Sequence, residues 1–213
     1  MNNKLSITYL ILLIAPLFFG CRGAVTAENK SDTLASPVSV GQGYTIDTKE
    51  SVVIWKGAML IGANFHTGYV HISSGELLIE NSRLVGGTAT IDMNTMGEKN
   101  DGSDNDLIKH LKSPDFFDVK KFPLSTIAIT DAAPAGGAHI KVTGKLTIKG
   151  ITHPITFPVK IEVKDGIVEA DGRLVIDRTK WDVRYNSGKF YDNLADETIS
   201  DSVEFNIKII AKK

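Results

Sequence analysis

From Tyr44 to the C-terminus, apolar and polar residues alternate with a period of two almost everywhere, the spacing that sends successive side chains to opposite faces of a β-strand. Ile140, Val142, Leu146 and Ile148 alternate with Lys141, Thr143, Lys145 and Thr147. The same beat sets Ile155, Phe157, Val159, Ile161 and Val163 against Thr156, Lys160, Glu162 and Lys164, and Val168, Ala170, Leu174 and Ile176 against Glu169, Asp171, Arg173 and Asp177. Val203, Phe205, Ile207 and Ile209 make a fourth run. These are antiparallel strands with one wet face, and Lys149-Gly150, Asp165-Gly166 and Gly86-Gly87 are read as the turns between them. Several runs reach ten or more residues, which favours a strongly coiled antiparallel barrel over a small sandwich. The predicted fold is therefore all-β. With about eight strands, its interior is either filled by side chains or holds one small ligand.

One segment breaks the beat. Ser103-Asp104-Asn105-Asp106 supplies cap residues and early acid, and Leu107, Ile108 and Leu111 follow at helical spacing with Lys109, His110 and Lys112. This predicts one short helix over residues ~104–112, stopped by Ser113-Pro114. Phe116 and Phe117 behind it would plug or buttress one end of a barrel.

The N-terminus is a different kind of sequence. Lys4 precedes an apolar run from Leu5 to Phe19, with Gly20 as the small residue before a cleavage point. The run falls short of the roughly 20 apolar residues that cross a bilayer, and Pro16 interrupts it. Residues 1–20 read as a signal peptide. Cys21, the only cysteine, follows directly. LFFGC resembles the lipobox of bacterial lipoproteins, with Phe18 and Phe19 departing from its preferred residues, and the resemblance implies that the Cys21 thiol carries a diacylglycerol. Residues 21–42 mix Ala, Ser, Thr, Val and Gly with charged residues without a period and read as a lipidated N-terminus and flexible tether; residues 43–213 form the domain. The expected location is exported, periplasmic or outer-membrane-associated, with the membrane reached through the lipid anchor.

Charge and composition exclude more than they assign. The chain carries 24 basic and 25 acidic residues, interleaved without a basic stripe, so nucleic acid is not an expected partner. With no cysteine beyond Cys21, the domain has no thiol catalysis and stands on its hydrophobic core. His66 and His71 are five apart on a strand-like stretch and face opposite ways, so they cannot share a metal. His110 is placed in the last helical turn, His139 at a strand start and His153 in the turn before Pro154. No G-x-S-x-G elbow appears, and the loop acids Asp101, Asp104 and Asp106 lack the terminal Glu of a calcium loop. The chain is read as no enzyme, with no catalytic residue, metal or cofactor.

Three blocks, His110 to Pro123 (HLKSPDFFDVKKFP), Gly144 to Pro154 (GKLTIKGITHP) and Ile176-Asp-Arg followed by Trp181, are similar to the YceI family of bacterial periplasmic proteins. Tyr44-Thr-Ile-Asp, the segment around Trp55, Gly75-Glu-Leu and Ile91-Asp-Met fall in the family's order upstream. The resemblance covers roughly residues 43 to 211 and implies a lipocalin-like barrel around an elongated apolar cavity that binds polyisoprenoid or other long-chain lipid. Trp55, Phe65, Ile91, Ile127, Ile129, Val142, Leu146, Phe157, Val159 and Trp181 are the cavity candidates, and Arg178 is a candidate head-group contact with a structural ion pair as its other reading. Each buried methylene contributes about 0.8 kcal/mol and association costs about 4–15 kcal/mol, so a chain of some tens of carbons is favoured over a short molecule. The expected role is an envelope carrier, store or scavenger. A filled structural or stress-protective module and an enzyme acting on an isoprenoid or fatty amide stay open as alternatives, as does a homodimer.

Overall fold

The computed structural model of the protein describes residues 41–62 and 64–213. The expected signal peptide, Cys21 and nearly all of the expected tether lie outside the described residues. Among the described residues nine strands follow one another: β1 (Gln42–Ile46), β2 (Val52–Ala58), β3 (Phe65–Glu80), β4 (Arg83–Glu98), β5 (Leu124–Gly136), β6 (His139–Ile148), β7 (Ile151–Lys164), β8 (Ile167–Asp177) and β9 (Ser202–Lys212), with helix α1 (Asp106–Lys112) between β4 and β5. All the pairings are antiparallel, and β3 pairs with β4 while both β1 and β2 pair with β9, so the sheet closes on itself.

Nine strands make eight staves. β1 and β2 lie end to end in one position between β3 and β9: Thr45 faces Glu76 and Lys212, whereas Val53 faces Val70 and Ile207. At the break the Ser51 hydroxyl replaces the missing ladder, accepting from the Ile210 N–H at 2.9 Å and donating to the Ile210 carbonyl at 3.2 Å. The Ile210 carbonyl also accepts from the Asp47 N–H at 2.8 Å, so it is the Ile210 N–H that would carry the desolvation penalty without this hydroxyl.

The two ends of the barrel differ. At one end the hairpins are tight: Asn81-Ser82 joins β3 to β4 with both residues at positive φ, Asp165-Gly166 joins β7 to β8 likewise, and Gly136-Gly137 turns β5 into β6. Those dihedrals match the right-handed twist of the flanking strands. Tyr44, Ile46, Ile79, Val168 and Ala211 pack that end shut, all of them buried. The other end carries the long connections, namely residues 59–64, 99–123 and 178–201.

Two sequence expectations are corrected. Gly86-Gly87 is not a turn but lies inside β4, facing Leu78 and Leu77 beside a register shift between Leu78 and Ile79. A Cβ at Gly87 would sit 2.7 Å from the Glu76 carbonyl oxygen, so the glycine serves close strand approach. His153 is not in a turn either. The turn is Lys149-Gly150, both at positive φ, and His153 lies within β7 opposite Leu146. Helix α1 begins where the cap residues placed it, with the Asn105 side chain accepting from the Ile108 N–H at 2.8 Å.

Candidate functional site: the barrel lumen

Side chains of one phase from every stave converge on the barrel axis and leave space between them. The lumen has a volume of about 320 Å³, at the lower end of the range for small-molecule sites. Its wall is hydrocarbon almost throughout: Trp55 from β2, Val70 and Ile72 from β3, Ile91 and Met93 from β4, Ile127 and Ile129 from β5, Val142 and Leu146 from β6, Phe157 and Val159 from β7, Leu174 from β8 and Phe205 from β9. Small residues keep it open. Ala170 and Gly172 occupy lumen-facing positions of β8, and a Cβ at Gly172 would lie 3.0 Å from the Phe157 ring.

The lumen opens at the end with the long connections. At the tight-hairpin end the lining residues Ile46, Leu77 and Leu84 are buried. At the other, the lining includes Met59 and His66, and the His66 side chain is 55% exposed. Helix α1 covers part of this mouth, contributing Leu107 and Leu111, and Phe116 and Phe117 follow it into the lining. The expected plug or buttress of two phenylalanines is thus in place. A polar chain ties the helix to the rim: Asn105, while capping α1, donates to Glu98 Oε2 at 2.7 Å, and Glu98 Oε1 lies 2.8 Å from His66 Nδ1.

Of the ten cavity candidates, Trp55, Ile91, Ile127, Ile129, Val142, Leu146, Phe157 and Val159 line the lumen. Two do not. Phe65 points outward, 57% exposed, with Lys56 Nζ 4.3 Å above its ring. The strand period explains this correction, because Gly68, Val70 and Ile72 hold the buried phase of β3, so the inward slot nearest Phe65 belongs to His66. Trp181 is buried but stands outside the lining, in a 3₁₀ turn over Arg178–Trp181, where its Nε1 donates to the Leu146 carbonyl at 3.1 Å and the His153 ring meets it edge-on. What the strand period did not mark was Leu77, whose phase is switched by the register shift between Ile72 and Ser74. Met93 follows Ile91 at period two, whereas Met96, three residues on, lies out of that phase and still reaches the lining.

Arg178 reaches the lining, yet its donors are engaged. Nε donates to the Ser200 carbonyl at 3.0 Å, Nη1 to Val183 at 2.8 Å and Nη2 to Ile199 at 3.1 Å, with Asp201 at 3.6 Å. Burial pushes its pKa down, against the pull of Asp201 and Asp177. Burial also pushes the Asp177 carboxyl up, but bonds from Lys189 and from Thr179 outweigh it and leave its pKa below the usual value. The guanidinium therefore staples the 178–201 connection to the barrel end and offers little to a ligand head.

The histidines are scattered. His66 faces the mouth and His71 the opposite side of β3, its ring tilted 50° against Tyr69 at 5.3 Å. His110 packs edge-on against Phe116 and Tyr185, and His153 Nε2 lies 2.9 Å from the Lys180 carbonyl. Among the described residues no group of three or more His, Cys, Asp or Glu side chains is placed to hold a metal ion.

An eight-stave barrel around an apolar lumen, with one short helix at its mouth, meets its counterpart among known proteins. Residues 44–211 match the YceI-like domain. The chain belongs to the YceI-like family. It is 29% identical over 126 residues to a UPF0312 protein of Shewanella denitrificans and 31% identical over 126 residues to one of Pseudomonas putida. The matches cover 58% and 56% of this chain and 65% and 64% of those relatives, so the alignment spans a little under two thirds of their length. Among solved structures, Burkholderia cenocepacia BcnA superposes with a TM-score of 0.64 at 25% identity, covering 78% of this chain and 99% of that one. A polyisoprenoid-binding domain from Saccharophagus degradans gives 0.59 at 14% identity, covering 79% and 97%; at that identity the likeness bears on the YceI-like fold alone.

Proposed function

We propose that this YceI-like barrel binds a long-chain apolar lipid, a polyisoprenoid in the first instance, as a carrier, store or scavenger in the bacterial cell envelope. The observation that carries the reading is the lumen: closed at one end, open at the other, and walled by hydrocarbon. Water gains little from such a wall, and an engineered apolar cavity of comparable kind stays dry and takes up apolar guests. The description of the Saccharophagus domain as polyisoprenoid-binding supports the choice of lipid.

Magnitudes set the form of the ligand. At about 30 Å³ for a water-sized group, a lumen of this volume takes on the order of ten chain carbons, worth about 8 kcal/mol at 0.8 kcal/mol per methylene. That roughly offsets the association cost of about 4–15 kcal/mol, so a tightly held ligand extends beyond the lumen and keeps its head and part of its chain at the mouth. The buried Arg178 is already satisfied by carbonyls, which argues against a head recognised by that residue. On this reading the chain is exported by residues 1–20 and anchored through Cys21.

Extraction of the protein purified from cell envelopes tests both parts. A lipid recovered in proportion to protein and identified by mass is the expected result, and Cys21→Ala is expected to abolish fatty-acid labelling. Protein that yields no lipid above a matched control contradicts the binding reading. A Cys21→Ala chain that still labels contradicts the anchor.

A further inference from the structure

Large apolar side chains exposed to water gather at the mouth. Leu60 and Ile61, 63% and 60% exposed, stand in the β2–β3 loop beside Phe65. Phe190 and Tyr191 are exposed on the β8–β9 connection. The two loops are joined: the Leu60 N–H donates to the Thr198 carbonyl at 2.7 Å, Met59 bridges Ile199, and the Ser200 N–H donates to the Ala58 carbonyl. Among the described residues, four of the eight exposed large hydrophobic side chains therefore belong to one linked pair of loops, with Phe65 at the adjoining start of β3, and the residue between them and the lumen, Met59, lines the lumen itself. The tight-hairpin end, by contrast, turns on Asn, Ser, Asp, Gly and Ala and carries a single exposed large hydrophobic residue among those described, Ile167 at 38%.

We infer that this end of the barrel docks on the surface of a lipid bilayer, the exposed side chains entering it so that a lipid passes between bilayer and lumen without crossing water. The inference rests on the lipid-binding reading and adds to it the surface through which the ligand is exchanged. Three observations choose a bilayer over other occupants. The apolar patch is continuous with an apolar lumen through Met59, which suits a partner whose interior is itself hydrocarbon. The charges around it are mixed, with Lys56, Lys99, Arg184 and Lys189 among Glu98, Asp101, Asp192, Asp196 and Glu197, so attachment follows from apolar insertion and not from attraction to anionic head groups. Third, the chain enters β1 at the closed end, where Gln42 faces Ile79. Residues 21 to 41 reach at most about 70 Å when extended, against about 40 Å for the height of a barrel whose 16-residue strands are tilted near 40°. A chain anchored at Cys21 is long enough to present its mouth to the membrane that holds it.

Site-specific fluorescence on the full chain tests this. An environment-sensitive fluorophore is placed by Ile61→Cys at the mouth and, in a second protein, by Ala138→Cys in the exposed β5–β6 turn at the closed end, and each is mixed with phosphatidylcholine vesicles carrying a quencher in the acyl region. The expected result is a blue shift and quenching at position 61, unchanged by raising salt, and none at position 138. No change at 61, or equal changes at 61 and 138, overturns the inference. So does a shift at 61 that grows with protein concentration without vesicles, which would assign the face to a second copy of the chain. A Leu60→Ser, Ile61→Ser protein is expected to load a fluorescent long-chain prenol from detergent solution as the parent does, while transferring it between vesicles at least tenfold more slowly. Normal transfer by that protein overturns docking, whereas failure of the parent to load the prenol at all overturns the lipid-binding reading on which docking rests.

Discussion

Leu146→Asp is expected to empty the barrel of lipid. Leu146 stands on β6 with its side chain in the lumen wall, buried at 7% exposure, between Ile127 on β5 and His153 on β7 in the ladder. A carboxylate there faces hydrocarbon, and the His153 ring across the ladder is already engaged by the Lys180 carbonyl and Trp181, so the change costs about 3–5 kcal/mol as an uncompensated buried charge and removes the apolar continuity that a lipid chain needs. Lys145→Asp, one residue away on the exposed face, is expected to retain the parent lipid content, because alternate residues of a strand lie on opposite sides of the sheet. Leu146→Ala, at about 2–5 kcal/mol, provides a folded intermediate case with reduced lipid. Lipid extracted per folded protein, with folding checked by circular dichroism, is the readout. Equal lipid in folded inward and outward variants would remove the lumen as the binding site.

Arg178→Ala is expected to cost stability without touching lipid recognition. The guanidinium satisfies three carbonyls of the 178–201 connection and faces Asp201, and its loss leaves those acceptors unpaired and Asp201 with Lys189 alone, at 3.1 Å. Breaking such an arrangement costs about 3–5 kcal/mol, which at about 2–4 °C per kcal/mol for a domain of this size lowers Tm by roughly 10 °C. The folded fraction below the transition is expected to carry the parent amount of lipid. A variant of unchanged Tm that has lost its lipid would instead make Arg178 a head-group residue.

Most of the barrel is legible in the sequence, because a half-wet antiparallel strand writes its period directly. The runs at Ile140–Ile148 and Ile155–Val163 lie in β6 and β7, and their inward members Val142, Leu146, Phe157 and Val159 line the lumen. Legibility fails where a residue has two plausible causes. Gly86-Gly87 has the composition of a turn, but close packing of β3 on β4 requires the same residue type; only the long-range pairing separates the two. Asn81-Ser82, the real hairpin, is the weaker signal. Phe65 reads as core because it is an aromatic residue near a strand start, although the phase of Val70 and Ile72 turns it outward. Trp181 reads as wall or plug from its size, and only the 3₁₀ turn that carries it decides between them. The mouth, built from connections without a period, is hardly written in the local sequence at all.

Tryptophan fluorescence offers the most direct measurement of the lumen as a lipid site, since Trp55 lines it and Trp181 stands outside. A homologous series of long-chain alcohols brominated near the tail is titrated into the parent protein and into Trp55→Phe and Trp181→Phe. Quenching is expected in the parent and in Trp181→Phe, to be largely lost in Trp55→Phe, and to occur at concentrations that fall about fourfold per added methylene until the lumen is full. Quenching confined to Trp181, or an affinity indifferent to chain length, would contradict a lipid chain threaded through the barrel.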